Sequence, residues 1–387
     1  MNLRAVIIAA IIMMPLASGR RRVTTYFDRN KSPVFRSPER QRSGLFVFPP
    51  MNTTRLPALS LADVVAARRL LAYGLRLTPC SPAPALSEIT GRSIWLKRDD
   101  LQRTGSFKER GARHALLCLS PEARARGVIA ASAGNHALGL AYHGAQLGVR
   151  VTVVMPVAAP EVKVTRCRSL GAEVVLHGAD FEAAQVRALQ LASAGGATFV
   201  HPFDDLDVIA GQGTLALEIL EQTPQLDTLV VPVGGGGLLA GVATVVKALR
   251  PDVRVIAVEP AHAASFVAAY LHGGPAPARL APTLADGLAV ARMGATTFAL
   301  AAPRVDDVVT VTESEIATAI AVLARRCGAV AEGAGATALA AVLAGKIGGR
   351  VVVVPVCGRN IDAGVHAAVL ATAAEPAPFR HPVARAA

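Results

Sequence analysis

Disulfides, zinc ribbons and the common hydrolase and nucleotide signatures are missing from this chain. Its five cysteines (Cys80, Cys118, Cys167, Cys327, Cys357) are odd in number and widely spaced, and no Cys-x-x-Cys pair occurs. That pattern excludes a disulfide framework and suits a reducing compartment. No His/Cys/Asp cluster has metal-ligand spacing along the sequence, so no metal is expected. Gly-x-Ser-x-Gly is absent, as are the Gly-Lys-Ser/Thr of a P-loop and the spaced Gly-x-Gly-x-x-Gly of a dinucleotide turn. Aromatics are scarce, 4% with a single Trp. No basic stripe interleaved with aromatics is seen, so nucleic acid is not an expected partner. Apolar runs are short and interrupted. The longest, residues 5–17 after Arg4, is too short to span a bilayer comfortably. It resembles the apolar part of a signal peptide, but Arg20, Arg21 and Arg22 just after it disfavour export.

Hydrophobic residues make up 52% of the 387, enough for a sizeable core in one large or two medium domains. The net charge of +12 is uneven: residues 1–50 hold nine Lys/Arg and two Asp/Glu, so +7 sits there and +5 on the rest. We read a basic extension on a nearly balanced globule. From residue 20 to 50 no clear period appears. Disorder is expected there, or a start upstream of the true one, with Met51 opening the ordered part.

From residue 128 the pattern alternates. Apolar strands are expected at 128–131, 151–155, 173–176, 198–200, 228–231, 253–259, 308–311 and 351–356. Between them lie helices over 136–147, 160–170, 180–194, 208–220, 238–249, 313–326 and 334–343, with a capping box at Thr312 and Glu315. Continuous apolar strands separated by amphipathic helices imply parallel sheets covered on both faces. The fold class is therefore α/β, two doubly wound domains with a crevice between them.

Four polar loops punctuate this framework. Gly234, Gly235, Gly236 and Gly237 follow a strand and open a helix. Bare amides there can converge on an anion, helped by the helix dipole; the plain alternative is a tight turn. Lys108, between Ser106-Phe107 and Gly111-Ala112, is either a solvated helix lysine or a partly buried amine made nucleophilic by desolvation. Ser132-Ala133-Gly134-Asn135-His136 can hold a carboxylate or simply cap a helix. Cys357-Gly358-Arg359-Asn360 can be a surface turn with an inert thiol.

Taken together and in order, these segments resemble fold type II pyridoxal-phosphate (PLP) enzymes, the tryptophan synthase β-like class. Within it they are similar to the threonine/serine ammonia-lyases, or dehydratases. The resemblance runs from about residue 61 to 373. It includes Lys97-Arg98-Asp99-Asp100-Leu101-Gln102-Arg103-Thr104-Gly105-Ser106-Phe107-Lys108, Pro202-Phe203-Asp204-Asp205, the tetraglycine loop, Val258-Glu259-Pro260, Glu332-Gly333-Ala334-Gly335-Ala336 and Cys357-Gly358-Arg359-Asn360. It implies a division into a large PLP-binding domain (53–126 with 205–373), a small α/β domain (127–204), the extension 1–52 and a tail 374–387. It implies that Lys108 carries PLP covalently and acts as the base at Cα, with Phe107 beside the ring. Gly234, Gly235, Gly236, Gly237 and the Leu238 amide would hold the phosphate. Asn135 would bond the ring hydroxyl, and Cys357 would face the ring nitrogen. Ser132, Ala133, Gly134, Asn135 and His136 would line the substrate carboxylate site.

The implied reaction is β-elimination of water from L-threonine or L-serine, giving a 2-oxoacid and ammonia. A neutral thiol opposite the ring nitrogen weakens the electron sink and favours elimination over transamination. Ala133 stands where racemases of the class carry a second serine, so racemisation is disfavoured. Ser265 stands where some relatives place an acidic metal ligand six residues after the equivalent of Glu259, so that metal is not expected. The family's C-terminal regulatory domain is expected to be absent. A sibling dehydratase acting on 3-hydroxyaspartate or on a hydroxyectoine-breakdown intermediate would need one more cation; Arg359 and Arg292 are candidates. A non-catalytic ligand-binding scaffold and a nicotinamide oxidoreductase are weaker readings. The expected setting is cytoplasmic, with an amino-acid substrate, no membrane and a homo-oligomeric state.

Overall fold

Two sheets organise the chain. In a computed structural model, residues 58–159 and 161–374 are described, together with the backbone of Val34–Arg36. Expectations for 1–33, 37–57 and 375–387 lie outside the described residues. Within the segment expected to lack order, the backbone of Val34–Arg36 does form a strand, β1.

Next along the chain are α1 (Leu61–Leu71), β2 (Cys80–Pro82), α2 (Pro84–Thr90), β3 (Ser93–Lys97), α3 (Lys108–Leu117) and α4 (Pro121–Arg126). Then come β4 (Val128–Ala131), α5 (Asn135–Leu147), β5 (Val151–Met155), α6 (Glu161–Ser169), β6 (Glu173–Leu176), α7 (Phe181–Gly195) and β7 (Thr198–Phe199). The chain continues through α8 (Leu206–Gln222), β8 (Thr228–Pro232), α9 (Gly237–Leu249), β9 (Arg254–Pro260), α10 (Ser265–His272) and α11 (Ala295–Ala301). It ends with β10 (Asp307–Val311), α12 (Glu313–Cys327), α13 (Gly333–Leu343), β11 (Val351–Pro355) and α14 (Ala363–Thr372).

The larger sheet runs β1-β10-β9-β8-β11-β3-β2, parallel from β10 to β3, with β1 and β2 antiparallel at its edges. The smaller runs β6-β5-β4-β7 and is parallel throughout. All its strands fall between β3 and β8 in the chain. Every residue of β8 and β11 is buried, as a strand covered on both faces requires. Alternation splits their side chains between two cores. Leu229, Val231, Val255 and Val353 face α1, α8 and α9. Val230, Ile256, Val352 and Val354 face α12 and α13.

Each strand predicted from residue 128 onward appears, and the helices match within two residues at each end. The Thr312 capping box is formed, with Glu315 closing it.

Helices α3 and α8 lie against one another almost without side chains between them. A Cβ on Gly211 of α8 would sit 2.6 Å from the Arg110 carbonyl of α3. One on Gly111 would sit 2.7 Å from the Val208 carbonyl of α8. These glycines bring the first turns of α3, which carry Lys108, hard against α8. Gly211→Ala should therefore cost about 1–3 kcal/mol by overpacking, read as a lower denaturation midpoint. An unchanged midpoint would contradict this backbone contact.

Candidate active site

Lys108 opens α3, and the residues just before it are tied to the loop after β11. Phe107 N–H donates to the Cys357 carbonyl (2.9 Å), Arg359 N–H donates to the Gly105 carbonyl (2.9 Å), and Ser106 bridges Gly358. Gly105 takes φ +85°, a left-handed conformation suited to glycine. The Lys108 ammonium group donates to the Pro202 carbonyl at 2.7 Å and lies 5.4 Å from the centre of the Phe107 ring. Phe107 itself is half-buried against the larger core. Burial alone pushes the Lys108 pKa down to about 8, with no opposing carboxylate. Two imidazoles near it stay neutral: His201 falls to about 4 and His136 to about 3, chiefly by burial.

The tetraglycine loop joins β8 to α9, a thirteen-residue helix without a side-chain cap. A Cβ on Gly235 would enter the Phe203 ring, and one on Gly236 (φ +91°) would meet Met293 and Thr297. Gly234 and Gly237 are tight but less so, a Cβ there coming to 3.0 Å from Leu288 and from the Phe203 main chain. At Gly235 and Gly236 a side chain fits only if its neighbours move. The Gly234 carbonyl accepts from Ser265 Oγ (3.0 Å) and the Gly235 carbonyl from Thr297 Oγ1 (2.8 Å). Across a planar peptide the next N–H points the opposite way. The amides of Gly235 and Gly236 therefore turn away from those hydroxyls, and with the first N–H groups of α9 they could receive an anion. Leu238, the second residue of α9, is buried.

Cys357 follows β11 and is 3% exposed. Burial, with the charges of Asp99 and Glu332 adding to it, holds the thiol well above its ordinary range, so it is neutral. Beside it runs a chain of side chains. Asn360 Nδ2 donates to Asn135 Oδ1 (2.6 Å) and to the Thr104 carbonyl (2.8 Å), and Asn135 Nδ2 donates to Glu332 Oε1 (2.6 Å). Burial raises Glu332 to about 7 and Asp286 adds to that, while the Asn135 bond opposes it. Asn135 thus spends one of its two amide hydrogens on Glu332.

Ser132 and Gly134 lie at the C-terminal end of β4. Ser132 Oγ accepts the Gly134 N–H (3.2 Å), and a Cβ on Gly134 would meet nothing within 4 Å. Ala133 packs on the small-sheet core. The His136 ring is buried and its Nε2–H donates to the Val200 carbonyl (3.2 Å), so the imidazole offers no cation here. Arg359 lies over Gly105 and is a neighbour of the site. Arg292 donates to the Pro275 carbonyl on the protein's exterior.

Under α3 lies a sealed ion network. Arg110 grips Asp99 (2.6 and 2.8 Å) and Glu218 (2.6 and 2.9 Å), each with two bonds. Lys97 Nζ donates to Glu218 (2.5 Å) and to the Thr78 carbonyl (2.6 Å). Thr78 Oγ1 donates to Asp99 (2.6 Å). Two cations and two anions, all buried, cancel.

Pyridoxal phosphate fits this arrangement. The amine is desolvated and faces no acid, the glycine cradle excludes side chains, and the buried Ser106 Oγ and His136 Nδ1 beside Lys108 have no hydrogen-bond partner among the described residues. Known proteins point the same way. A model of the pyridoxal-phosphate dependent enzyme family matches residues 71–358. An L-threonine ammonia-lyase of Thermotoga maritima is 46% identical over 305 residues, covering 79% of this chain and 76% of that protein. The catabolic L-threonine dehydratase TdcB of Escherichia coli K12 is 41% identical over 308 residues, 79% of this chain and 94% of that one. The processed threonine deaminase isoform 2 of Solanum lycopersicum superposes with TM-score 0.75 at 38% identity, over 80% of this chain and 91% of that one. The chain belongs to the pyridoxal-phosphate dependent enzyme family. Its α/β architecture is that of fold type II, and pyridoxal phosphate is its cofactor.

His201, and the contacts made by the Pro202 carbonyl and by Asn360, are not legible in the sequence. Pro202 and Asn360 lie within sequence motifs, but each acts through a partner distant in the chain. Among the described residues, His114 and Cys118, four residues apart around the end of α3, meet Asp207 of α8. The third group comes from another helix, so the sequence does not bring the three together.

Asp99→Asn should leave Arg110 incompletely paired and cost about 3–5 kcal/mol in chemical unfolding. A loss below about 1 kcal/mol, typical of solvated pairs, would show that the network is not sealed.

Proposed function

We propose that the protein eliminates water from L-threonine, L-serine or both and, with water taken up again at Cα, releases the 2-oxoacid and ammonia, as a catabolic-type dehydratase. The observation that carries this is Lys108, a half-buried lysine whose amine is desolvated with no acidic partner, near side-chain-free amides and a neutral thiol. Lys108 would be the covalent anchor, with Phe107 against the ring. The amides of Gly234, Gly235, Gly236, Gly237 and Leu238 would take the phosphate.

Bound cofactor supplies a conjugated sink for the electron pair left when Cα loses its proton. The rest is the work of the chain. The substrate carboxylate would rest on the Ser132 hydroxyl and the N–H groups around Gly134, Asn135 and His136 at the start of α5. The neutral His136 ring would contribute shape, not charge. Lys108, which would also anchor the cofactor, would be held close to Cα and would take that proton. The β-hydroxyl departs with one proton as water. A second water replaces nitrogen at Cα, giving the 2-oxoacid and ammonia. Asn135, oriented by Asn360 and Glu332, would hold the ring hydroxyl. Cys357, a neutral thiol, would face the ring nitrogen without keeping a proton there, and would so limit the lifetime of charge at Cα.

A sibling activity on 3-hydroxyaspartate or a hydroxyectoine-breakdown intermediate would require a cation for a second substrate charge. Arg359 is the better placed of the two candidates because it overlies Gly105. We assign 127–204 to a small domain and 53–126 with 205–373 to a large one. We also propose a cytoplasmic homo-oligomer. No helix among the described residues is long and apolar enough to cross a membrane.

Lys108→Ala should abolish 2-oxoacid release from L-threonine and L-serine while the protein stays folded; retained turnover would reject Lys108 as base. Preference for threo- or erythro-3-hydroxyaspartate in the same ammonia assay would favour the sibling. Because the Ala133 methyl moves no proton, conversion of L-serine to D-serine should be negligible beside elimination, and comparable rates would overturn that reading.

A further inference from the structure

The cluster at the far end of α3 takes no part in the chemistry above. His114 lies six residues beyond Lys108 on the same helix, about 9 Å along its axis. Cys118 is four residues further, on the same face. Asp207 is the second residue of α8. Their ligand atoms lie within 4.8 Å of one another.

The geometry points to a site for a thiophilic divalent cation, zinc by its chemistry, held by His114, Cys118 and Asp207. His114 is 5% exposed, and its Nδ1 lies 2.7 Å from the Asp207 main-chain carbonyl. A carbonyl only accepts, so Nδ1 carries the proton and Nε2 presents its lone pair. A backbone carbonyl on the far ring nitrogen is a common support of metal-ligating imidazoles. Nε2 stands 3.5 Å from Cys118 Sγ. Tetrahedral zinc, with Zn–N about 2.0–2.1 Å and Zn–S about 2.3 Å, sets its nitrogen and sulfur ligands about 3.5 Å apart. The two atoms already have the separation that zinc would impose. Asp207, exposed on the first turn of α8, has the freedom to close the third side.

The donor set selects the ion. Thiolate with imidazole favours zinc over magnesium and calcium, which prefer all-oxygen shells. Cys118 and Asp207 are exposed, so water can take the fourth position. Binding releases the Cys118 thiol proton to solvent. The ion would also join α3 to the start of α8, just beyond Pro202, whose carbonyl receives the Lys108 ammonium. Occupancy would hold the helix of the catalytic lysine against the segment that lysine touches.

The test uses tag-free holoenzyme incubated with zinc chloride, desalted and measured for metal per chain. Cobalt(II) replaces zinc in parallel, because thiolate-bound tetrahedral cobalt gives a visible spectrum distinct from that of the cofactor. Wild type should keep one zinc per chain and show the cobalt–thiolate bands. Cys118→Ala and Asp207→Asn, both exposed and expected to fold, should each bind zinc at least about tenfold more weakly, the low end of the cost of disturbing a metal's surroundings. Cys118→Ala should also lose the thiolate bands, while Cys327→Ala keeps them. No retained zinc in wild type, or Cys118→Ala binding like wild type, would overturn the site.

Discussion

The structure depends on a half-buried lysine whose amine is desolvated without a counter-charge. Desolvation of an ammonium group is costly, and a neighbouring carboxylate would remove the effect by stabilising the charged form. Each nearby acid is occupied elsewhere. Glu109, next in sequence to Lys108, accepts the Thr104 N–H and the His143 Nε2–H (3.1 Å). Asp99 is committed to Arg110, and Glu332 to Asn135. Lys108 is left with a carbonyl, an aromatic ring and two neutral imidazoles.

The fold maintains this separation. The loops after β3, β4, β8 and β11 lie at the C-terminal ends of parallel strands, where open α/β sheets place their ligands. The segment before Lys108 is bonded to the segment after Cys357, so anchor and thiol share one scaffold. The glycine contacts between α3 and α8 bring Arg110 within reach of Glu218, and the ion network fixes the turn that presents the lysine. A neutral quartet in the core lets four charged groups be buried while adding no net charge beneath the amine.

The later part of the chain was legible because its strands are mostly apolar and several of its helices, α7, α8 and α12 among them, carry side-chain N-caps. The segment before residue 128 was not. Helix α3 buries Glu109, Arg110 and His114, residues that read as a solvated face, so its period is masked. Strand β3, Ser93–Lys97, ends in a buried lysine, and the stretch from 261 to 302, where α10 and α11 lie, is broken by Gly and Pro. In the site, Lys108, the tetraglycine loop and Cys357 stood out because each is a local motif. The pairs that tune them, Asn135 with Asn360 and Glu332, and Lys108 with the Pro202 carbonyl, close over long sequence separations and have no local signature. The fate of His136 also required the fold. Its sequence position placed it in the loop of the substrate carboxylate site, and burial keeps its ring neutral against Val200.

The central claim, an amine whose pKa is lowered by desolvation alone, is tested most directly by competitive acylation of Lys108 in cofactor-free protein across pH, followed by peptide mass spectrometry. Only the neutral amine reacts, so a lowered pKa brings reactivity in at lower pH. The account predicts a midpoint near pH 8. A midpoint near the ordinary lysine value of 10.5 would contradict it.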